Sequence, residues 1–237
     1  MATGQNIESF YLGPDDIHIW KFHLDELAPE IYLLSREELD FAYKLRQSVD
    51  RRRYLSSHSA MRNILSKYAK TGPENLAFHL SPEGKPSLSP RHIRFMISFN
   101  LSHSQSIGLL AVSAYKQVGI DIEVDCNAND LEVLAVHFMT TMEFYDFTRM
   151  KKAPQRAAFY SLWTQKESLL KAMGCGLLRD PKDFELGLTT NNSKSITDNG
   201  IDWTILPLVV DTHTYSAVTI EGKSSNISNY VYLGNRF

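Results

Sequence analysis

The sequence predicts an α+β fold made of two similar halves, and three observations carry that expectation. Helical spacing dominates residues 35–70 and gives way to short β-type runs over 76–124. The same succession returns later, with helical spacing over 131–147 and 155–173 and strand-like segments from 183 to 236. No low-complexity linker divides the chain and no short repeat is visible, so what repeats is architecture: helix then strands, twice. The expected fold is two pseudo-symmetric halves, each a small, mainly antiparallel sheet packed with a long helix. The division falls near Val118, giving an N-terminal half, 1–118, and a C-terminal half, 119–237.

The elements follow in order. Apolar residues at Leu39, Tyr43 and Leu45, then Tyr54, Leu55, Met61, Ile64, Leu65 and Tyr68, have the spacing of one or two amphipathic helices, and Ser35 with Glu38 reads as a capping box at the start. Turn chemistry at Pro82–Pro86, Ser87–Pro90 and Lys116-Gln117 then cuts the chain into short strands. The run FYSLWTQKESLLKAM, residues 159–173, is rich in helix formers and ends at Gly174, the residue type best suited to a left-handed stop. Trp203, Ile205, Leu206, Tyr215, Val218, Ile220, Tyr230, Val231 and Tyr232 mark the closing strands.

Composition narrows the function classes. The 237 residues are 43% hydrophobic and 22% charged, the balance of a globular protein with a sizeable core. Lys plus Arg number 25 against 27 Asp plus Glu, and a formal charge of -2 gives no global field toward nucleic acid or an anionic membrane. Local basic residues must therefore meet any anionic ligand. The start, MATGQNIESF, lacks the features of a secretory signal and runs such as ILPLVV are too short to span a bilayer, so a cytoplasmic protein is expected. Cys126 and Cys175 have no partners at metal-ligand spacing, so neither a zinc site nor a disulfide framework is expected, and both read as small buried or incidental residues.

Four constellations could carry chemistry. In GIDIEVD, residues 119–125, strand alternation sends Ile120, Ile122 and Val124 to one face and Asp121 with Glu123 to the other. That pair is either a solvated strand edge or a site for a hard cation such as Mg²⁺. On the helix of 159–173, Trp163, Glu167 and Lys171 recur every four residues, which is either an ordinary Glu–Lys face or a second source of chemistry. FNLSHSQS, residues 99–106, ends a β-type run in small hydroxyl residues around His103, suited to phosphate oxygens or simply to a polar surface turn. Nearby, Lys85 stands between Gly84 and Pro86 in a rigid loop. The fourth is the basic run Arg46, Arg51, Arg52, Arg53 and Arg62, a solvated face or a grip on a nucleotide phosphate.

Taken together and in this order, GKP at 84–86, FNLSHS at 99–104, GIDIE at 119–123, Glu143, and LWTQKESLLKAMGCGL at 162–177 resemble the larger, Sfp-type class of 4'-phosphopantetheinyl transferases. The resemblance implies a Mg²⁺-dependent enzyme that moves the phosphopantetheine group of coenzyme A to a serine of an acyl or peptidyl carrier protein, releasing adenosine 3',5'-bisphosphate, with both ligands in a cleft between the halves. It implies that Asp121, Glu123 and Glu167 hold the metal, and that Ser102 and His103 contact the coenzyme A phosphates. Lys85 would meet the 3'-phosphate, Lys171 the pyrophosphate and Arg53 the adenosine end. Glu167, Lys171 and His103 are the expected catalytic residues, Glu167 as base toward the serine.

The resemblance departs at the first helix, where phosphate-contacting lysines of the family fall near Glu38 and Phe41 here, leaving Lys44 or Arg46 as substitutes. Lys151, Lys152 and Arg156 form a basic stretch that either steers an acidic carrier or is a solvated loop. A monomer is expected, with neither nucleic acid nor membrane as partner. The competing readings are a Mg²⁺-dependent nucleotide or diphosphate hydrolase and a non-catalytic nucleotide-binding protein.

Overall fold

The computed structural model describes residues 10–90, 96–126, 130–223 and 226–234. The chain forms two compact units. One holds the described residues of Met1–His79, Pro86–Tyr115 and Ser225–Phe237, and the other those of Leu80–Lys85 and Lys116–Ser224.

The first unit is a four-stranded sheet in the order β10-β1-β5-β4, formed by Asn226–Val231, Asp16–His23, Ile107–Ala114 and Ile97–Ser104. β1 and β4 run antiparallel to β5, while β10 joins the outer edge of β1 in parallel. Two helices accompany it, α1 (Arg36–Lys44) and the 22-residue α2 (Ser48–Ala69). The predicted capping box is present: Ser35 accepts from Glu38 N and the Glu38 carboxylate accepts from Ser35 N. Ala60, Met61, Ile64, Leu65 and Tyr68 of α2 pack on Trp20 and Phe22 of β1, Phe99 of β4 and Leu110 and Val112 of β5. Burial of these side chains drives the helix onto the sheet.

Glu38 also serves this packing. Its carboxylate accepts from His58 Nδ1 at 2.9 Å and Arg62 Nε at 2.9 Å, and the Arg62 guanidinium, only 2% exposed, donates onward to the Pro73 and Leu76 carbonyls. A buried guanidinium is tolerable only with its fork filled in this way. Arg62 is therefore a core strut, and Arg51 likewise donates to the Leu45 carbonyl.

The second unit repeats the plan. Its sheet runs β6-β9-β8-β7, formed by Val118–Val124, Thr214–Glu221, Ile201–Leu208 and Lys194–Asp198, with every neighbouring pair antiparallel. Short helices α3 (Leu131–Ala135) and α4 (Thr141–Thr148) precede the 22-residue α5 (Lys152–Met173). Pro154 is tolerated because it lies in the first turn, where the missing N–H has no intrahelical partner. Gly174, at φ 69°, ends the helix as expected. Phe159, Leu162, Leu169 and Leu170 of α5 pack with Phe138, Phe147, Leu186, Trp203 and Ile205. Between α2 and β4 in the chain lies the hairpin of β2 (Phe78–Leu80) and β3 (Pro86–Leu88), whose tip, 80–85, belongs to this second unit.

No helix among the described residues is long and apolar enough to cross a membrane. Both cysteines are free thiols; Cys126 is exposed and Cys175 half-buried, which leaves the incidental reading of the two expected and not the buried one.

Candidate active site

The site begins with a glycine. Gly119, Asp121 and Glu123 alternate onto the face of β6 that meets α5, while Ile120 and Ile122 are buried on the opposite face. A Cβ on Gly119 would lie 2.1 Å from the Ser168 carbonyl oxygen and 2.3 Å from Ala172 N, so only glycine lets the α5 backbone approach β6 this closely. That approach carries Glu167 and Lys171 onto the carboxylates of the strand. Lys171 Nζ donates to Asp121 Oδ1 at 2.5 Å, and Asp121 is 4% exposed.

Glu167 shares the same field. Burial raises its pKa, the nearby charges of Asp121 and Glu123 push the same way, and Lys171 opposes them. Three carboxylates from two elements thus lie within electrostatic reach of one another, with the Lys171 ammonium opposing their repulsion. The donor set is all oxygen, the kind Mg²⁺ takes. Among the described residues no three such side chains already converge as a finished cation cage. The chemistry of the donors nevertheless fits a hard divalent cation, since added positive charge would relieve repulsion that Lys171 offsets only in part.

The remaining expected residues are carried by other elements. Lys85, at the hairpin tip, donates from Nζ to Gln117 Oε1 at 2.9 Å, the Val118 carbonyl at 3.2 Å and the Ala172 carbonyl at 2.8 Å. Its ammonium thus caps the C-terminus of α5, where carbonyls lack intrahelical donors. Burial lowers its pKa to about 8, against weaker opposite influences of Cys175 and Glu221. Two glycines accommodate the tip: added Cβ atoms would stand 3.1 Å from Lys85 Cδ at Gly174 and 3.1 Å from the Glu83 carbonyl at Gly176. The GKP and GCG blocks are therefore neighbours in space.

Ser102 and His103 occupy the end of β4 in the first unit, opposite Leu109 and Gly108, with Ser102 buried and His103 exposed. Arg53 of α2 forms a fork on Asp25, Nε to Oδ1 at 2.9 Å and Nη2 to Oδ2 at 2.7 Å. Trp163 packs edge-on against Phe138, ring centroids 4.9 Å apart, as a core residue would. Of the basic stretch at the start of α5, Arg156 is already engaged by Asp125 at 2.7 Å and does not stand as a free surface cation.

Sequence reasoning missed the partners that hold these groups: Asp25 for Arg53, Ala172 for Lys85, and Lys166 for Glu143. The last pair is 2.6 Å apart, each side chain 1% exposed. Lys166 adjoins Glu167 in sequence, and a lysine on the buried side of an amphipathic helix was the available signal.

A two-unit α+β protein with a lysine-bridged group of carboxylates between strand and helix is the class that fold and site define. Residues 117–220 match the model of the 4'-phosphopantetheinyl transferase superfamily, and residues 18–115 match that of the 4'-phosphopantetheinyl transferase N-terminal region. The 4'-phosphopantetheinyl transferase HetI of Nostoc sp. is 33% identical over 214 residues, 88% of this chain and 89% of the relative. A 4'-phosphopantetheinyl transferase of Bacillus pumilus is 29% identical over 190 residues, 80% of this chain and 78% of its own. Sfp of Bacillus subtilis is 28% identical over 166 residues, 69% and 70% respectively. The chain belongs to the 4'-phosphopantetheinyl transferase superfamily.

Proposed function

We propose that this protein transfers the 4'-phosphopantetheine group of coenzyme A to a serine hydroxyl of an acyl or peptidyl carrier protein, with Mg²⁺ as the metal, as a member of the Sfp-type class. The single observation that carries the reading is the bridge from Lys171 to Asp121, with Glu167 coupled to Asp121 and Glu123, in a chain of this family.

In this reading the serine oxygen attacks the β-phosphorus, the bond to the leaving phosphate breaks, and adenosine 3',5'-bisphosphate departs. Asp121, Glu123 and Glu167 would hold Mg²⁺, which when bound supplies positive charge to the pyrophosphate. Glu167 is also assigned the serine proton as general base. Lys171, supplied by the same helix, stabilises charge growing on the leaving phosphate.

Residues 1–118 contribute nucleotide contacts through Arg53, Lys85, Ser102 and His103, and residues 119–237 contribute the carboxylates and the catalytic helix. Lys85 would meet the 3'-phosphate from a position where it already anchors α5. The protein is read as a cytoplasmic monomer without nucleic-acid or membrane partners, in keeping with its balanced charge.

The test is mass spectrometry of an apo carrier protein incubated with the enzyme, coenzyme A and Mg²⁺. A gain of about 340 Da, one phosphopantetheine, that disappears with chelator and with Glu167→Ala supports the reading. Carrier-independent release of adenosine 3',5'-bisphosphate would instead make the protein a hydrolase.

A further inference from the structure

We propose that Glu143 is a positioning residue for the transfer reaction: its buried carboxylate, fastened to Lys166, fixes the roll of α5 about its axis and so aims Glu167 and Lys171 at β6. The inference rests on the proposed roles of those two residues.

Glu143 makes more contacts than a helix cap requires. Oε2 accepts from Thr140 N at 2.9 Å, closing a capping box at the start of α4, and from Lys166 Nζ at 2.6 Å. Oε1 accepts from Leu186 N at 2.7 Å and Gly187 N at 3.1 Å. Lys166 Nζ in turn donates to the Phe138 carbonyl at 2.9 Å. One carboxylate therefore ties together α4, the segment before it, the segment after α5 and the middle of α5. Lys194 adds to the knot by donating to the Gly187 carbonyl at 2.8 Å.

Packing alone does not need a charged pair here. The surroundings are apolar, Phe138 and Phe147 being 1% and 0% exposed, and a buried ion pair gains little over hydrophobic residues of similar volume. What the pair supplies is direction. Gly119 sets how closely α5 approaches β6, but a helix resting on a glycine can still roll. Lys166 limits that freedom one residue from Glu167, on the side of α5 away from the 2.8 Å hydrogen bond between the Ser168 and Thr219 hydroxyls that ties the helix to β9. With side-chain groups about 5–6 Å from a helix axis, a roll of about 10° displaces the Glu167 carboxylate by roughly 1 Å. A misplacement of that size can lower a rate by about a hundredfold.

The test uses the full-length enzyme with Glu143→Gln and, because an unpaired buried ammonium can prevent folding, the double variant Glu143→Gln/Lys166→Met, which removes both charges. Each is measured at a temperature where circular dichroism shows it folded. The expected result is a kcat lower by about 10- to 100-fold with KM for coenzyme A within about threefold of wild type, since aim is lost and ground-state binding is not. A folded variant with wild-type kcat overturns the inference, as does a raised KM at unchanged kcat. So does a loss no larger than the unfolded fraction. Wild-type enzyme that fails to modify any carrier removes the proposed function itself, a result distinct from an active wild type with indifferent variants.

Discussion

Lys171 Nζ rests 2.5 Å from Asp121 Oδ1, so the helix that carries Glu167 is joined by an ion pair to the strand that carries the other two carboxylates. Lys171 retains 31% side-chain exposure against 5% for Asp121, which leaves the ammonium within reach of an incoming anion while the carboxylate stays inside. An anion drawn to Lys171, as proposed for the coenzyme A pyrophosphate, would therefore act on the arrangement of the carboxylates as well.

Replacing Asp121 by Asn should abolish most transfer and spare the fold. Loss of one charge-stabilising group in such a site lowers turnover by about 10² to 10³, and the partly exposed Lys171 can rehydrate when its partner is neutralised. Carrier modification followed by mass spectrometry should show that loss, with a thermal midpoint close to wild type. Wild-type turnover in the variant would remove Asp121 from the site.

Gly119→Ala tests the close approach of α5. Backbone cannot yield as a flexible side chain does, so a Cβ at 2.1 Å from the Ser168 carbonyl must push the helix outward. Overpacking of this kind costs about 1–3 kcal/mol. Chemical denaturation should report that destabilisation, and kcat should fall further than stability alone explains, because Glu167 and Lys171 move with the helix.

The raised pKa of Glu167 gives a cation effect with a definite sign. A carboxylate raised by burial binds more protons folded than unfolded, so its contribution to stability falls as pH rises from its ordinary value of 4.5 through its folded value. A divalent cation that neutralises the group should reverse that loss. Added Mg²⁺ is expected to raise the melting temperature more at pH 8 than at pH 5, and Glu167→Gln should flatten the difference. Equal shifts at both pH values would count against Glu167 as a metal carboxylate.

Glu38 behaves oppositely. Burial alone would raise its pKa, but hydrogen bonds from His58 and Arg62 and from the Ser35 backbone outweigh it and hold the value at about 2 instead of 4.5. A depressed carboxylate stabilises the fold above its unfolded value and loses that contribution as pH falls from 4.5 toward 2. The displacement corresponds to roughly 3 kcal/mol at neutral pH. Urea unfolding of Glu38→Gln should therefore show a large deficit at pH 7 that narrows below pH 3.

Lys85→Met separates anchoring from phosphate contact. Removing its ammonium leaves the Ala172 and Val118 carbonyls without that donor, a cost of about 1–3 kcal/mol measurable by denaturation. If Lys85 also meets the 3'-phosphate, the preference for coenzyme A over dephospho-coenzyme A should shrink in steady-state kinetics. An unchanged preference would leave it with the anchoring role alone.

The sequence by itself determined the class of fold and the chemistry on offer. Periodicities of local origin, 3.6 residues on a helix and 2 on a strand, are written residue by residue, which is why α2, α5, the Ser35 capping box and the Gly174 stop were legible and why Asp121 and Glu123 could be put on one face. Only the tertiary structure decided which partners those groups meet. That β10 returns to pair in parallel with β1, that Lys85 caps α5 from a hairpin 87 residues away, and that Glu143 grips Lys166 are long-range contacts. Such contacts depend on how apolar faces settle against one another and leave no periodic trace. A single residue bridges the two levels: Gly119 reads in sequence as an unremarkable strand glycine, yet its missing side chain is the space into which the helix bearing Glu167 and Lys171 descends.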